Sequence, residues 1–309
     1  MSPDAIQPIP RSLILPTQDG FPISATLYPG QLPLKGHLVV AGATGVPQGF
    51  YRRFAEYASA QGFAVLTLDY RGIGKSAPDS LRSFRMHLLD WARQDLAAAV
   101  EYMRDPHIPL FLMGHSLGGH AFGLLPNHRA VDKFFVCGAT SGWHGWMPKA
   151  ESIRVRLMWH GILPVLHQLL GYSPWKLFGA GEDLPLDALR QWRYWAGFPR
   201  YFFDDPAMAG IEANFERVTT PIVAANALDD LWAQPAARDA FMQGYCNAPL
   251  TRLDLNPADF GGRLGHMGYF RPQARALWDQ AFNWFTSDTQ APAPHIPYNQ
   301  HHSHDRLLV

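Results

Sequence analysis

Residues 109–119 read PLFLMGHSLGG and carry the clearest structural signal in the chain. Its apolar first half predicts a buried strand over 109–113, and residues 117–125 predict a short helix. The pattern G-x-S-x-G between them is typical of a sharp turn that leads from a strand into a helix and exposes the serine hydroxyl. Glycines two positions before and after Ser116 remove side chains that would collide in such a turn. The first helical N–H, from Leu117, is then available to developing negative charge.

Strands and helices alternate on both sides of this stretch. The alternation follows a predicted hairpin over 12–28, whose turn signal is Gln18-Asp19-Gly20. The predicted strands are 37–40, 63–68, 134–136, 221–225 and 250–255, and the predicted helices are 49–61, 88–104, 235–244 and 272–286. Apolar strands with few polar breaks are typical of a parallel sheet that is covered on both faces, so the alternation predicts a doubly wound α/β fold.

The composition excludes several classes of protein. The chain has 309 residues, of which 47% are hydrophobic, and this excludes wholesale disorder. Charged residues make up only 17% and aromatic residues 13%, which indicates a large buried volume or an apolar cavity. The formal net charge of zero offers no electrostatic case for binding nucleic acid or an anionic membrane.

The start of the chain and its apolar runs bear on localisation. Met1-Ser2-Pro3-Asp4 has neither the basic start nor the apolar segment of a secretion signal. No stretch approaches the roughly 18 apolar residues of a transmembrane helix. The two cysteines, Cys137 and Cys246, give no disulfide framework. We therefore expect a cytoplasmic protein without stable membrane insertion.

Three regions of the chain differ in composition. Residues 1–140 and 216–288 hold the alternation of strands and helices and form the predicted core. Residues 141–215 contain six of the ten tryptophans and are predicted to be a mostly helical insertion. Residues 289–309 are rich in proline, histidine and polar residues and are expected to be a loosely ordered tail. Histidines in this tail could bind metal opportunistically, although a tail without function is the simpler interpretation. These histidines are His301, His302 and His304.

The serine of the motif needs a base, because its hydroxyl is a poor nucleophile at neutral pH. In the expected chain order an acidic residue and then a histidine follow the serine. Asp229 and Asp230 compete for the acidic position after the strand 221–225, and His266 follows the strand 250–255 between two glycines. All candidates thus lie at carboxyl ends of predicted strands, where open α/β sheets place their sites. His115 and His120 lie too close to the serine in sequence to serve as its base.

With these motifs the chain resembles the α/β-hydrolase superfamily, and within it the serine hydrolases that include monoglyceride lipases and proline-type aminopeptidases. The resemblance covers about 12–140 and 217–287. It rests on four motifs, which are 114–119, Asp69-Tyr70-Arg71-Gly72-Ile73-Gly74-Lys75-Ser76, Leu228-Asp229-Asp230 and Gly265-His266-Met267-Gly268. It implies an eight-stranded, mostly parallel sheet, with the insertion 141–215 as a helical cap. It also implies a catalytic triad of Ser116, Asp230 and His266, because the family's acid lies three positions after a small residue, here Ala227.

The resemblance leaves one part of the site open. The family's second oxyanion donor is a backbone N–H in the loop after the third strand, where the family often has His-Gly. This chain has Ala41-Gly42-Ala43-Thr44-Gly45 instead, without a histidine. A glycine-rich loop still lets N–H groups converge, so the implied donors are Leu117 and either Ala43 or Thr44. One such donor typically lowers the barrier by about 3–4 kcal/mol.

The function implied by the resemblance is hydrolysis of a carboxylic ester, thioester or amide of a small or apolar acyl substrate through an acyl-enzyme. It requires no metal and no organic cofactor. A serine nucleophile disfavours haloalkane dehalogenases and epoxide hydrolases, which use aspartate on this fold. The alternatives are an acyltransferase with the same triad, an aminopeptidase-like amide hydrolase and a non-catalytic ligand-binding member. The expected partner is a small-molecule substrate, and a homo-oligomer is compatible with the sequence.

Three features of the predicted cap admit two interpretations each. Its tryptophans can form a small aromatic core or line a pocket for an apolar acyl or aromatic group. The segment 157–170 is apolar but interrupted by polar residues, which favours a packed helix over a membrane anchor. Gly181-Glu182-Asp183-Leu184-Pro185 can place carboxylates at a pocket mouth to receive a cationic substrate, but more often such a run is a turn before a helix.

Overall fold

A computed structural model describes residues 9–179 and 181–289. Nearly all of the predicted tail, with His301, His302 and His304, lies outside the described residues.

One eight-stranded sheet organises the described chain, in the spatial order β1-β2-β4-β3-β5-β6-β7-β8. Strand β2 pairs antiparallel with β1 and β4, and the pairs from β4 through β8 are parallel. The strands are β1 (Arg11–Pro16), β2 (Pro22–Tyr28), β3 (Gly36–Ala41), β4 (Phe63–Leu68), β5 (Leu110–His115), β6 (Lys133–Cys137), β7 (Ile222–Ala227) and β8 (Leu250–Leu255). The predicted doubly wound, mostly parallel α/β fold is therefore confirmed.

The central strands are buried on both faces, which explains their continuous apolar sequences. Every residue of β4, β5 and β7 is buried. Residues on one face of the sheet, such as Phe134 of β6, pack in a cluster with Trp91 and Phe122. The other face packs against a cluster that includes Phe54 and Trp278. Because both faces of the sheet are covered by packed side chains, the carboxyl ends of its strands are held in fixed positions.

Nine α-helices follow the strands or connect them among the described residues. They are α1 (Arg52–Ala60), α2 (Ala97–Met103), α3 (Leu117–Phe122), α4 (Lys149–Leu157), α5 (Leu163–Leu170), α6 (Leu186–Trp195), α7 (Glu212–Glu216), α8 (Pro235–Met242) and α9 (Arg275–Phe285). Several predicted helices differ in their first or last turn. The helix predicted over 49–61 begins with a 3-10 turn at Gln48–Tyr51, and the one over 88–104 begins with a π-helical turn at Trp91–Leu96. Helix α3 ends at Phe122, since the N–H of Gly123 donates to the hydroxyl of Tyr245.

The chain between β6 and β7 contributes helices α4 to α7 and several 3-10 turns. One of its segments, 181–185, closes over the loop after β3. Glu182 N–H donates to Gly45 O at 2.7 Å, and a Cβ on Gly45 would lie 3.0 Å from the Leu184 side chain. The loop that was predicted to supply an oxyanion donor therefore lies beneath this helical segment.

Among residues 9–179 and 181–289, no helix has both the length and the apolar composition that a membrane span requires.

Candidate active site

The turn between β5 and α3 places Ser116 in a strained backbone conformation. Its φ is 52° and its ψ is −103°, which is a region that residues with a side chain rarely occupy. Two hydrogen bonds hold the turn, since Ser116 N–H donates to Cys137 O at 2.8 Å and Ser116 O accepts from Gly119 N–H at 2.8 Å. The strain is thus supported by β6 and by the first turn of α3.

The two glycines of the motif are required by close approach. A Cβ on Gly118 would lie 2.5 Å from the backbone oxygen of Ala41 in β3. A Cβ on Gly114 would lie 2.8 Å from the ring of Phe134 in β6. These distances are well inside van der Waals contact, so the neighbouring strands could pack against the turn only if side chains were absent there.

Asp230 lies beyond the end of β7 and is fully buried. Its Oδ2 accepts hydrogen bonds from His266 Nδ1 and from the Tyr269 hydroxyl, both at 2.8 Å. Its Oδ1 accepts from the backbone N–H groups of Trp232 and Ala233, both at 3.0 Å. Burial by itself would raise the pKa of this carboxyl group, but the His266 ring and these donors hold the pKa below its ordinary value. The group is therefore a carboxylate that remains charged in a buried position.

His266 lies in the loop after β8, and its side chain is 24% exposed. An ionised carboxylate only accepts hydrogen bonds, so the Nδ1 of His266 carries the proton and the Nε2 keeps a lone pair. Burial would lower the pKa of the imidazole, but the charge of Asp230 and the hydrogen bond to it raise this pKa above its ordinary value. His266 and Ser116 line the same cavity. The Ser116 hydroxyl makes no hydrogen bond to His266 or to any other residue of 9–179 and 181–289.

The two competing aspartates have different partners. Asp230 bonds to the imidazole, whereas the carboxylate of Asp229 accepts from the backbone N–H groups of Leu264 and Gly265, both at 3.0 Å. Asp229 therefore fixes the loop that carries His266, a role that the sequence did not suggest.

Tyr269 is a further residue that sequence reasoning missed. Its hydroxyl accepts from Ala227 N–H at 2.9 Å and donates to Asp230 Oδ2 at 2.8 Å. It thereby joins the end of β7 to the carboxylate. In the sequence it stands beside another aromatic residue, Phe270, and has the pattern of an ordinary core residue. The one sequence signal that could have indicated a role was its position directly after the glycines that flank His266.

The structure distinguishes the two candidates in the loop after β3. The N–H of Ala43 donates to the Tyr51 hydroxyl at 2.8 Å and is therefore engaged. The N–H of Thr44 donates to no residue in the described part of the chain, and Thr44 lines the cavity beside Ser116. Leu117 is the first residue of α3, so its N–H has no acceptor within the helix. Thr44 and Leu117 are therefore the N–H groups that remain available.

The two histidines near Ser116 in the sequence bond to other residues. His115 contacts the Tyr51 hydroxyl through Nδ1 and His266 O through Nε2, and burial lowers its pKa to about 3. The Nε2 of His120 bonds to Thr140 O, and burial lowers the pKa of this ring to about 4. Both rings are neutral at physiological pH.

A cavity of about 310 Å³ opens above Ser116. Most of its lining is apolar or aromatic. The apolar and aromatic lining residues are Ala43, Val46, Met158, Trp175, Phe178, Trp192, Trp232 and Met267. Tryptophans from three parts of the chain pack together here, since the ring of Trp192 lies 5.5 Å from that of Trp175 and 6.1 Å from that of Trp232. These tryptophans therefore both pack against one another and line the cavity, as the two interpretations predicted. Trp143 and Trp146 pack against each other and do not line the cavity.

Charge is sparse around this cavity. Arg154 lines it and is paired with Glu151 through two hydrogen bonds, at 2.9 and 2.5 Å. Glu182 and Asp183, which the sequence could place at the mouth, do not line it. The Glu182 carboxylate pairs with Lys176 at 2.7 Å, and Asp183 accepts from the Lys176 N–H at 3.0 Å. Among the described residues, no Asp or Glu side chain lines this cavity.

The site can hold a proton on the imidazole next to a buried negative charge, and it offers N–H donors beside a serine hydroxyl. Within residues 9–179 and 181–289, no group of three or more His, Cys, Asp and Glu residues is arranged to hold a metal ion.

Comparison with known proteins agrees with this architecture. The chain is similar to a soluble variant of monoglyceride lipase from Saccharomyces cerevisiae, with a TM-score of 0.65 and 16% identity over 93% of this chain and 99% of that chain. It is also similar to the thioesterase domain from the curacin biosynthetic pathway, with a TM-score of 0.55 and 14% identity over 91% of this chain and 100% of that one. A Mycobacterium tuberculosis puromycin-hydrolysing peptidase gives a TM-score of 0.56 and 15% identity over 92% of this chain, but only 40% of the peptidase is covered.

No curated protein matches the sequence. The family model described as serine aminopeptidase, S33, matches residues 34–250, which include the serine motif and the acidic candidates. The matched region spans more than half of the chain, and the sheet topology is that of an α/β-hydrolase. The chain belongs to the serine aminopeptidase S33 family of α/β-hydrolases.

Proposed function

We propose that the protein is a serine hydrolase that cleaves carboxylic esters with a small or apolar acyl group through an acyl-enzyme. The observation that carries this proposal is the hydrogen bond of 2.8 Å between His266 Nδ1 and the buried Asp230 carboxylate, in the cavity that Ser116 lines. It supplies the serine with a base that is oriented and held in one tautomer.

In the first half of the reaction, the Ser116 oxygen attacks the ester carbonyl while His266 Nε2 accepts the hydroxyl proton. Asp230 stabilises the resulting imidazolium, which is the state that its charge favours. The tetrahedral intermediate then collapses, the bond to the alcohol oxygen breaks, and His266 returns the proton to the leaving alcohol. The acyl group remains bound to Ser116 as an ester.

In the second half, water replaces the alcohol. His266 accepts a proton from the water as its oxygen attacks the acyl-enzyme, and it returns that proton to the Ser116 oxygen when the intermediate collapses. The products are the carboxylic acid and the free enzyme. In both halves the N–H groups of Leu117 and Thr44 would donate to the oxyanion. We prefer Thr44 to Ala43 because the N–H of Ala43 is already bonded to Tyr51.

The lining of the cavity favours an uncharged substrate. Its aromatic and apolar side chains suit an aliphatic or aromatic group, and its volume of about 310 Å³ lies at the low end of ligand pockets. An aminopeptidase, which the family name suggests, must receive a free ammonium group. The charged side chain in the lining is Arg154, a cation, and no carboxylate lines the cavity among the described residues. We therefore propose an ester in preference to an amine-bearing peptide.

Active-site labelling tests the nucleophile. A fluorophosphonate probe reacts with activated serines, so it should label the parent protein and fail to label the variant Ser116→Ala. Ser173→Ala is the control, because Ser173 is a fully buried serine outside the cavity lining and its hydroxyl has no partner among the described residues. Undiminished labelling of Ser116→Ala would refute the assignment.

A substrate panel tests the bond and the acyl group. We expect p-nitrophenyl acetate and butyrate to be hydrolysed with a higher kcat/KM than the palmitate ester, and alanine p-nitroanilide to be a poor substrate. Efficient cleavage of the anilide would overturn the preference for esters. Product analysis with an added alcohol distinguishes hydrolysis from acyl transfer, because a transferase would form the new ester.

A further inference from the structure

Two buried polar side chains beneath the site have no role in the mechanism described above. Tyr51 is 1% exposed and His115 is fully buried. The Tyr51 hydroxyl lies 2.8 Å from Ala43 N and 3.0 Å from His115 Nδ1. The other ring nitrogen of His115, Nε2, lies 2.8 Å from the backbone oxygen of His266. The two side chains therefore connect the loop after β3 to the backbone of the proposed base.

Only one arrangement of protons satisfies all of these contacts. The N–H of Ala43 can only donate, so the Tyr51 oxygen accepts there and its own proton is directed to His115 Nδ1. The proton of the neutral imidazole is then on Nε2, from which it donates to the carbonyl of His266. Burial lowers the pKa of His115 to about 3, so the ring stays neutral and this arrangement persists at any pH at which an esterase would be assayed.

Packing holds the chain of hydrogen bonds in place. The Phe270 ring lies edge-on to Tyr51 at 4.9 Å and tilted against His115 at 5.1 Å. A Cβ on Gly42 would lie 3.1 Å from the Tyr51 ring, so the loop approaches the tyrosine closely at a residue without a side chain. The tyrosine therefore contacts the loop through both its ring and its hydroxyl.

We propose that Tyr51 and His115 are positioning residues that fix the loop after β3, with its proposed oxyanion donor, and the proposed base His266 relative to each other. This inference rests on the proposed function. Because Tyr51 holds the N–H of Ala43 away from the cavity, it sets the orientation in which the next N–H, from Thr44, meets the reacting carbonyl. His115 extends the same chain to the backbone of His266. Displacement of catalytic groups by about 1 Å can cost about 100-fold in rate, so such a chain matters for turnover more than for substrate binding.

The test compares kcat and KM for p-nitrophenyl butyrate in Tyr51→Phe, His115→Leu and the double variant. We expect kcat to fall about 10- to 100-fold in each single variant, with KM within threefold of the parent, because the oxyanion contacts form in the transition state. The double variant should lose no more than the worse single variant, since both substitutions interrupt one chain. His115→Gln should recover part of kcat, because its amide offers both a donor and an acceptor.

Tyr245→Phe is the matched control. Tyr245 is equally buried, and its hydroxyl also accepts from a backbone N–H, that of Gly123, and donates to a backbone oxygen, that of Gly119. Denaturant unfolding of all variants measures the stability cost. If His115→Leu does not fold, the comparison of Tyr51→Phe with Tyr245→Phe decides.

Two results would overturn the inference. One is a kcat for Tyr51→Phe within threefold of the parent. The other is an equal loss of kcat in Tyr51→Phe and Tyr245→Phe, which would indicate a general effect of losing a buried hydroxyl. Failure of the proposed function is a separate result, because it appears as probe labelling that survives Ser116→Ala.

Discussion

At the scale of single residues, the site combines a strained serine with a buried charge. The φ of 52° at Ser116 is tolerated because Gly114 and Gly118 let β3 and β6 pack closely against the turn. The charge of Asp230 is tolerated because four donors surround the carboxylate. Both features oppose local stability, and both are supported by contacts from residues far away in the sequence.

The pKa of His266 determines how the rate of the proposed reaction should depend on pH. His266 must be neutral to accept the proton of Ser116, and Asp230 raises its pKa above the ordinary 6.5. Activity should therefore be lost as the pH falls through a value above 6.5. In Asp230→Asn the burial of the ring remains while the charge is gone, so the midpoint of this acid limb should move to lower pH. The maximal kcat should fall about 10⁴-fold, because the tautomer is no longer enforced.

The measurement is kcat/KM for a p-nitrophenyl ester between pH 5 and 9 in the parent and in Asp230→Asn. An acid limb that stays at the same pH in the variant would contradict the assignment of the base and its partner.

At the scale of secondary-structure elements, the loop after β8 depends on the end of β7. Asp229 accepts from the N–H groups of Leu264 and Gly265, immediately before His266. In Asp229→Ala this anchor is lost while the bond between His266 and Asp230 can still form. We expect kcat to fall about 10-fold, because loosening of a catalytic group reduces the fraction of correctly placed side chains. The unfolding midpoint should change little, because the side chain is only partly buried.

The matched control is Asp259→Ala. Asp259 lies in the 3-10 turn Pro257–Phe260 of the same loop region, and within 9–179 and 181–289 its side chain makes no hydrogen bond or ion pair. Steady-state kinetics and thermal unfolding of both variants provide the comparison. Equal activity of Asp229→Ala and the parent would show that the loop is held by other contacts.

The sequence predicts those elements whose signal is local. Strands β3 to β7 have apolar runs, and the turn at Ser116 has its own glycine pattern, so both could be predicted directly from the sequence. The choice between Ala43 and Thr44 could not be made, because it depends on the hydrogen bond from the Ala43 N–H to the Tyr51 hydroxyl, which no sequence pattern indicates. Tyr269 was missed for the same reason. Its ring is that of a core residue, and only the tertiary structure brings its hydroxyl to Asp230.

At the scale of the whole molecule, one guanidinium ties three distant segments together. Arg71, after β4, donates to Asp19 in the turn between β1 and β2, with Nη1 to Oδ2 at 2.6 Å. It also donates to Asp95 in the π-helical turn before α2, with Nε to Oδ1 at 2.8 Å. The Arg71 side chain is only 6% exposed and that of Asp95 is fully buried. Through Arg71, the motif 69–76 thus fixes the edge hairpin to the body of the sheet, away from the cavity.

This network predicts a stability difference that depends on pH. The hydrogen bond with Arg71 holds the pKa of Asp19 well below its ordinary 3.8, although partial burial opposes the shift. A carboxyl group whose pKa is lowered by folding stabilises the protein above its unfolded pKa, and this contribution is lost as the pH falls.

Asp19→Asn should therefore be less stable than the parent at pH 7 by at most about 1 kcal/mol, since the Asp19 side chain is 42% exposed. Denaturant unfolding should show the same difference in stability at pH 7 and pH 5 and a smaller one at pH 3, because the contribution is lost only as the pH falls below the unfolded pKa of Asp19. Asp79→Asn, which changes an exposed carboxylate without an ion pair among the described residues, should match the parent throughout. A difference between Asp19→Asn and the parent that is the same at all three pH values would mean that the Asp19 charge is not what holds the hairpin.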